Sequence, residues 1–392
     1  MRTLPALLLV LATAGAPGSA PLDGRWRAVL DLAGGALSFH LDITGPGGRI
    51  CNGASCTDLS GIVQRGDSIV LEIGDYAATI AVRLRGDSLI GTYRNVGNRG
   101  PRAIPFRASR GRWPESAGPA PLLGKWDATF ITDQRRSPRV FDFRNGPAGL
   151  EAAFLANSGD YGLFAGRADA DSFSVAHFDG AFVYLLTGRL TGDTLRGIFH
   201  AGLRTQTPFV AVRSTGKPHL VAPTELTRAD TTKPFQFAFP DLNGKLVTND
   251  DARFKGRVVV IDIFGSWCPT CHDAAPALVD LRRRYHDRGL EVVGFAYEVS
   301  GDSTVDNPLI RRFRDKFTIP YPLLRAGIND VEATAATLPQ LTGFTAYPTT
   351  IFLGRDGRVK AVYAGFRGPA TGAQYATQLD DYDRLARSLL DR

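Results

Sequence analysis

The sequence predicts two antiparallel all-β units, each a small barrel or sandwich, followed by an α/β domain. Three observations carry this. A set of short motifs occurs twice in the first half at a spacing of about a hundred residues. The alternating β pattern gives way after Phe235 to strands that alternate with helices. Within that later region, the apolar run Val258-Val259-Val260-Ile261-Asp262-Ile263-Phe264 leads directly into Trp267-Cys268-Pro269-Thr270-Cys271 and a helical pattern.

The chain of 392 residues is too long for one ordinary domain and 44% apolar, enough for two or three cores. Residues 1–20 read as an export signal: Arg2, the apolar stretch Leu4 to Leu11, then small residues ending at Gly18-Ser19-Ala20. No other run approaches the ~18 apolar residues that span a bilayer. A periplasmic or otherwise exported protein with no membrane span after signal removal is the expectation.

Residues 21–112 and 117–216 are the two β-rich repeats. Pro21-Leu22-Asp23-Gly24-Arg25-Trp26 returns as Pro121-Leu122-Leu123-Gly124-Lys125-Trp126. Gly86-Asp87-Ser88-Leu89 returns as Gly192-Asp193-Thr194-Leu195, and Pro105-Phe106 as Pro208-Phe209. Alternating runs such as Ala78-Thr79-Ile80-Ala81-Val82-Arg83-Leu84, broken by Gly-Asp turns, read as antiparallel strands. The opening Gly-x-Trp of each repeat resembles the start of lipocalin-like β-barrels, where the tryptophan plugs the closed end. Neither repeat gathers the His, Asp and Glu of a catalytic or metal site, so a scaffold or docking role is expected of them.

Residues 217–233, with Pro218, Pro223 and a Thr-rich stretch, read as a linker. Residues 234–392 form the α/β domain: an opening hairpin at 237–245, strand 257–264, helix 272–288, strand 290–297, helix 308–317, strands 349–354 and 358–364 turned by Asp356-Gly357, and a final helix 373–391. The order is β-α-β followed by β-β-α.

A C-x-x-C between strand end and helix start places Cys268 where unpaired N–H groups and the helix dipole favour a thiolate, the form that attacks disulfides. Cys271, one turn on and more buried, closes the ring. A zinc site needs four ligands, and the other cysteines, Cys51 and Cys56, lie far upstream. Those two flank Asn52-Gly53-Ala54-Ser55 and read as a local structural disulfide across a turn, with a second redox pair or free thiols as alternatives. Net charge is +7, but 39 of the 46 basic residues are arginines spread along the chain. That distribution lacks the basic stripe with interleaved aromatics of a nucleic-acid surface.

On these motifs residues 234–392 resemble the thioredoxin fold, and within it the TlpA-like and ResA-like thiol-disulfide oxidoreductases grouped with redoxin and AhpC/TSA-type domains. Trp267-Cys268-Pro269-Thr270-Cys271, Pro276 in the following helix, Tyr347-Pro348-Thr349-Thr350 and the segment Phe239-Pro240-Asp241-Leu242-Asn243-Gly244-Lys245 carry the resemblance. It implies a cis bond before Pro348, a substrate strand pairing with Tyr347, Trp267 shielding the site, and Asp262 assisting deprotonation of Cys271. A carboxylate inside an apolar strand is in any case costly without a task or a partner. The resemblance also implies dithiol–disulfide exchange with a disulfide-containing protein substrate and a membrane or periplasmic thiol electron donor, without metal or organic cofactor. One departure is Ala274, where many such proteins carry glutamate; Glu298 is the candidate substitute. His272 reads as an exposed helix residue. A peroxiredoxin needs a proline and a Thr or Ser where Ile261 and Gly265 stand. The rival reading makes the β-repeats a ligand- or protein-binding module with a redox-sensitive clasp.

Overall fold

The structure, a computed structural model, describes residues 22–97 and 100–391. The export signal read at 1–20 lies outside the described residues. The first β-unit has nine strands: β1 (Gly24–Leu32), β2 (Gly35–Thr44), β3 (Gly47–Asn52), β4 (Ser55–Asp58), β5 (Gly61–Arg65), β6 (Ser68–Ile73), β7 (Ala78–Arg85), β8 (Ser88–Gly97) and β9 (Gly100–Arg110). They pair in the order β4-β3-β2-β1-β9-β8-β7-β6-β5, so the ends β4 and β5 are not joined and the unit is a half-barrel. The second unit, β10 (Gly124–Ile131), β11 (Arg136–Gly146), β12 (Gly149–Ala156), β13 (Gly159–Ala168), β14 (Ser172–Phe178), β15 (Val183–Thr191), β16 (Thr194–Ala201) and β17 (Thr205–Arg213), is a closed barrel.

Strand length separates the two. β3, β4 and β5 have 6, 4 and 5 residues, against 8 and 10 for β12 and β13, so the first unit has too little ladder to close. Its gap is filled by the β14–β15 hairpin of its neighbour. Ala176, Phe178, Val183 and Leu185 belong to the first unit's core, where the Phe178 ring lies 4.9 Å from Phe39 and edge-on to Tyr93. Asn52 both donates to the Phe178 carbonyl (2.7 Å) and accepts from its N–H (2.9 Å), and the Tyr93 hydroxyl donates to the Gly180 carbonyl. The hairpin tip thus satisfies its own backbone inside a foreign core.

The tryptophans of the two units sit alike. Trp26 and Trp126 are fully buried, each donates its indole N–H to the carbonyl four residues back, and each lies under an arginine, Arg110 at 4.4 Å and Arg213 at 4.0 Å. Each pairs with that arginine in the ladder.

The segment read as a linker carries a helical turn, α1 (Pro223–Leu226), and β18 (Arg228–Ala229). The α/β domain continues with β19 (Ala238–Pro240), β20 (Leu246–Thr248), β21 (Val258–Phe264), α2 (Pro269–Tyr285), β22 (Leu290–Glu298), α3 (Ser303–Lys316), β23 (Leu323–Ile328), α4 (Val331–Thr337), β24 (Leu341–Thr342), β25 (Thr349–Leu353), β26 (Val359–Ala364) and α5 (Ala373–Leu390). Its five-stranded sheet has the order β23-β22-β21-β25-β26, with β21–β22 and β22–β23 parallel and the rest antiparallel. β18 pairs with β24, tying the chain's arrival to this domain.

Three elements depart from the expectation. β23 and α4 fill a region left without structure in the sequence reading, and α2 begins at Pro269 rather than 272. The helix starts at once because Cys268 caps it and Pro269 presets its first turn. Among the described residues no helix is long and apolar enough to cross a membrane.

Candidate active site

β21 is the central strand, buried along its whole length because both sheet faces are covered. Its alternation sends Val259, Ile261 and Ile263 to one face and Val258, Val260 and Phe264 to the other, where Cys268, Cys271 and Leu278 pack. Asp262 shares the second face by the same period of two. It therefore lies beneath the start of α2. It is 1% exposed, its Oδ1 has no hydrogen-bond partner, and burial pushes its carboxyl up to about 7.

Cys268 is the N-cap of α2, and its sulfur accepts from the Cys271 N–H at 3.3 Å. Its thiol donates to the Tyr347 carbonyl at 3.7 Å, and the Tyr347–Pro348 bond is cis. Cys271 is fully buried; burial, then its contact with Cys268, raises its thiol well above the ordinary range, and Asp262 acts in the same direction. Both cysteines are free thiols, whereas Cys51 and Cys56 form a disulfide. Trp267 donates its indole N–H to the Tyr297 carbonyl (2.8 Å) and stands edge-on to Tyr347, 5.5 Å between ring centres.

Glu298 is fully buried at the end of β22 and accepts from the N–H and hydroxyl of Ser266 at 2.8 and 2.7 Å. It fixes the loop ahead of Trp267, and burial pushes it up to about 8. His272 corrects its expectation. It is 8% exposed, donates through Nε2 to the Ser266 carbonyl, accepts from Lys316 at Nδ1, and is held down to about 4 by burial, so it stays neutral. Ala274 is buried in the same core, and Asp273 faces away toward the second β-unit, where Asp160 adds to the effect of burial in raising it.

The site is not open. Cys268 is only 3% exposed, and both β-units pack against the first turns of α2 beside it. From the first unit, Tyr76 stacks on His272 at 4.8 Å, Asp75 pairs with Lys316, and the Gly74 carbonyl accepts from Arg312. From the second, the Asp160 carbonyl accepts from the Thr270 hydroxyl at 3.3 Å, and the Asp160 N–H donates to the Phe366 carbonyl at 3.2 Å. Arg367 donates to the Ala156 carbonyl at 2.8 Å. The approach is so close at Gly159 (φ +123°) that a Cβ there would meet the Phe366 carbonyl oxygen at 2.9 Å. Burial raises the Tyr76 and Tyr184 hydroxyls. A cavity of about 500 Å³ opens between the two units, with Trp267 in its wall.

Sequence reasoning brought together Cys268, Cys271, Asp262, Trp267, Tyr347 and Pro348, and the structure places all six within one site. It missed the cover of Tyr76, Asp160 and Tyr184, for which no local motif exists. The buried Glu298 in an apolar strand carries the same signal as Asp262. Among the described residues no cluster of three His, Cys, Asp or Glu side chains is arranged to hold a metal ion.

Residues 228–379 match the model of the Redoxin family. The thiol-disulfide oxidoreductase ResA of Bacillus thuringiensis subsp. konkukian is 23% identical over 146 residues, 37% of this chain and 72% of that protein. The chloroplastic peroxiredoxin Q of Suaeda salsa is 30% identical over 136 residues, 34% of this chain and 59% of that protein. A solved thiol:disulfide interchange protein of the thioredoxin family from Chlorobium tepidum is 24% identical, with a TM-score of 0.31, covering 42% of this chain and 99% of that one.

Proposed function

From the redoxin domain that the C-terminal part of the chain carries, we propose that the protein is an exported thiol–disulfide oxidoreductase that reduces protein disulfides through Cys268 and Cys271. The observation that carries this reading is a cysteine sulfur at a helix N-cap, one turn from a second buried thiol, above a buried carboxyl with no other task.

Cys268 attacks a substrate sulfur as the thiolate, favoured by the α2 N–H groups. One substrate thiol leaves and a mixed disulfide forms. Asp262 then accepts the Cys271 proton, Cys271 attacks the Cys268 sulfur, and the second substrate thiol departs, leaving the Cys268–Cys271 disulfide. A membrane or periplasmic thiol donor returns the two electrons. Trp267 shields the intermediate, and Tyr347 with Pro348 positions the substrate chain. Export rests on residues 1–20, and the two β-units are read as copies of one repeat on the matched Trp–Arg pairs. Peroxide reduction is the weaker reading despite the peroxiredoxin relative, since Ile261 and Gly265 stand where that chemistry places a proline and a hydroxyl.

Redox titration of the Cys268–Cys271 pair, in a variant with Cys51 and Cys56 changed to serine, tests this. A midpoint below about −220 mV supports a reductase. A midpoint above about −160 mV makes the protein a disulfide donor, and the lack of any transition removes the enzyme reading.

A further inference from the structure

The Cys268 sulfur must be met in line by a disulfide, yet Cys268 is 3% exposed, and Tyr76 of the first β-unit packs on His272 in the first turns of the same helix. The first turn of α2 is pinned to Asp160 through Thr270. A folded protein surface therefore has no face of this site to dock on. What does reach it is the cavity over Trp267, of about 500 Å³, a volume in the range of ligand pockets.

Its walls have a definite chemistry. Tyr161, Phe182, Tyr184 and Phe199 gather their rings in its wall, with Phe182 and Tyr184 4.8 Å apart and 29° from parallel. Its mouth exposes Val96 of the first unit (52%) and Leu203 of the second (41%), beside the cations Arg102 and Arg204. Exposed apolar residues and aromatic rings line the cavity beside Trp267, interspersed with Asn95, Arg102, Arg204 and Thr205. Beside Trp267, at 5.5 Å between ring centres, stands Tyr347, whose carbonyl next to the cis bond accepts from the Cys268 thiol and is a backbone acceptor for an extended chain.

Resting on the oxidoreductase reading, we propose that this cavity is the substrate channel. It takes a disulfide carried on an extended, unfolded polypeptide segment whose cysteine has an aromatic neighbour for the ring-lined wall and an acidic neighbour for the arginines at the mouth. The reactive sulfur meets Cys268 while the flanking side chains occupy the channel. The chemistry is unchanged: two protein thiols are oxidised to Cys268–Cys271, and one substrate disulfide is reduced to two thiols.

The test uses the full chain and three probes: the homodisulfide of a short Phe-Cys-Glu peptide, that of Gly-Cys-Gly, and the small aromatic disulfide 5,5′-dithiobis(2-nitrobenzoate). The expected result is a kcat/KM ratio of about tenfold or more for the first peptide over the second, the discrimination an apolar pocket affords. Leu203→Asp and Val96→Asp, both at exposed positions and checked for unchanged melting, are expected to bring that ratio close to one. Equal rates for the two peptides, or a ratio untouched by both variants, overturn the channel while leaving the oxidoreductase reading in place. Rim sensitivity shown by the aromatic small molecule alone overturns the polypeptide occupant. No reduction of any of the three probes overturns the enzyme reading, and the channel with it.

Discussion

Two cysteine pairs stand in this chain in opposite states. Cys51 and Cys56 face each other across the β3–β4 ladder and are bonded, with Cys56 exposed at the sheet edge. Cys268 and Cys271 stand one helical turn apart, buried and free. Both pairs are close enough to bond, so proximity does not make a redox site. The difference lies in what surrounds the sulfurs. The second pair has a helix N-terminus directed at its first sulfur and a buried carboxyl under its second, whereas the first pair has only a ladder.

The sharpest way to break this contrast is to take sulfur from each pair in turn. Cys268→Ser is expected to lower disulfide reduction by three orders of magnitude or more, as loss of a nucleophile does. The double variant Cys51→Ser/Cys56→Ser is expected to keep turnover within about twofold, a range set by its remoteness from the chemistry. Steady-state assays on both decide it, and a collapse of the double variant would erase the distinction. Cys271→Ser is expected to stall the protein as a Cys268–substrate mixed disulfide, visible as a mass adduct cleared by dithiothreitol.

Asp262→Asn sharpens the contrast through pH. Burial pushes the Asp262 carboxyl up to about 7, so the base proposed for Cys271 exists mainly above that value. Resolution of the mixed disulfide is expected to rise through pH 7 in the native protein. In Asp262→Asn it should lose that rise and run about 10- to 100-fold slower. Stability moves the other way. Between the ordinary carboxyl value of 3.8 and about 7 the native state holds a proton that the unfolded chain has released, so stability falls as pH rises across that window. Asp262→Asn is therefore expected to be more stable than the native protein at pH 8, by on the order of 2–4 kcal/mol, and to lose that advantage near pH 4. Denaturant unfolding at the two pH values measures it. The smallest effect belongs to the first pair: opening its short loop is expected to cost about 2 kcal/mol of stability.

The redox motif was legible because its parts are local: an apolar strand, a cysteine cap and a proline at the first helical position share one stretch of chain. Asp262 was legible because a carboxyl among valines and isoleucines is costly unless it has a task or a structural hydrogen bond to the neighbouring strand. β23 and α4 were not, since Leu323-Leu324-Arg325-Ala326-Gly327-Ile328 is an edge strand without full burial and α4 has only 7 residues. The Asp330 cap was the one available signal. The cover over Cys268 left no trace because much of it is backbone: the carbonyls of Gly74, Ala156, Asp160 and Phe366 hold the units together, and any residue has a carbonyl. The misplacement of His272 has the same origin, as Tyr76 arrives from the distant connection between β6 and β7 to cover it.

The hairpin of the closed barrel that enters the half-barrel also orders events in time. The first β-unit leaves the ribosome ahead of the second, yet Phe178, Val183 and Leu185 of its core are not synthesised until most of the second unit has followed. Domains that carry a whole core fold as they emerge. This one must wait with its edge strands unpaired, and the late hairpin that completes it belongs to the same barrel that then closes over the cysteines.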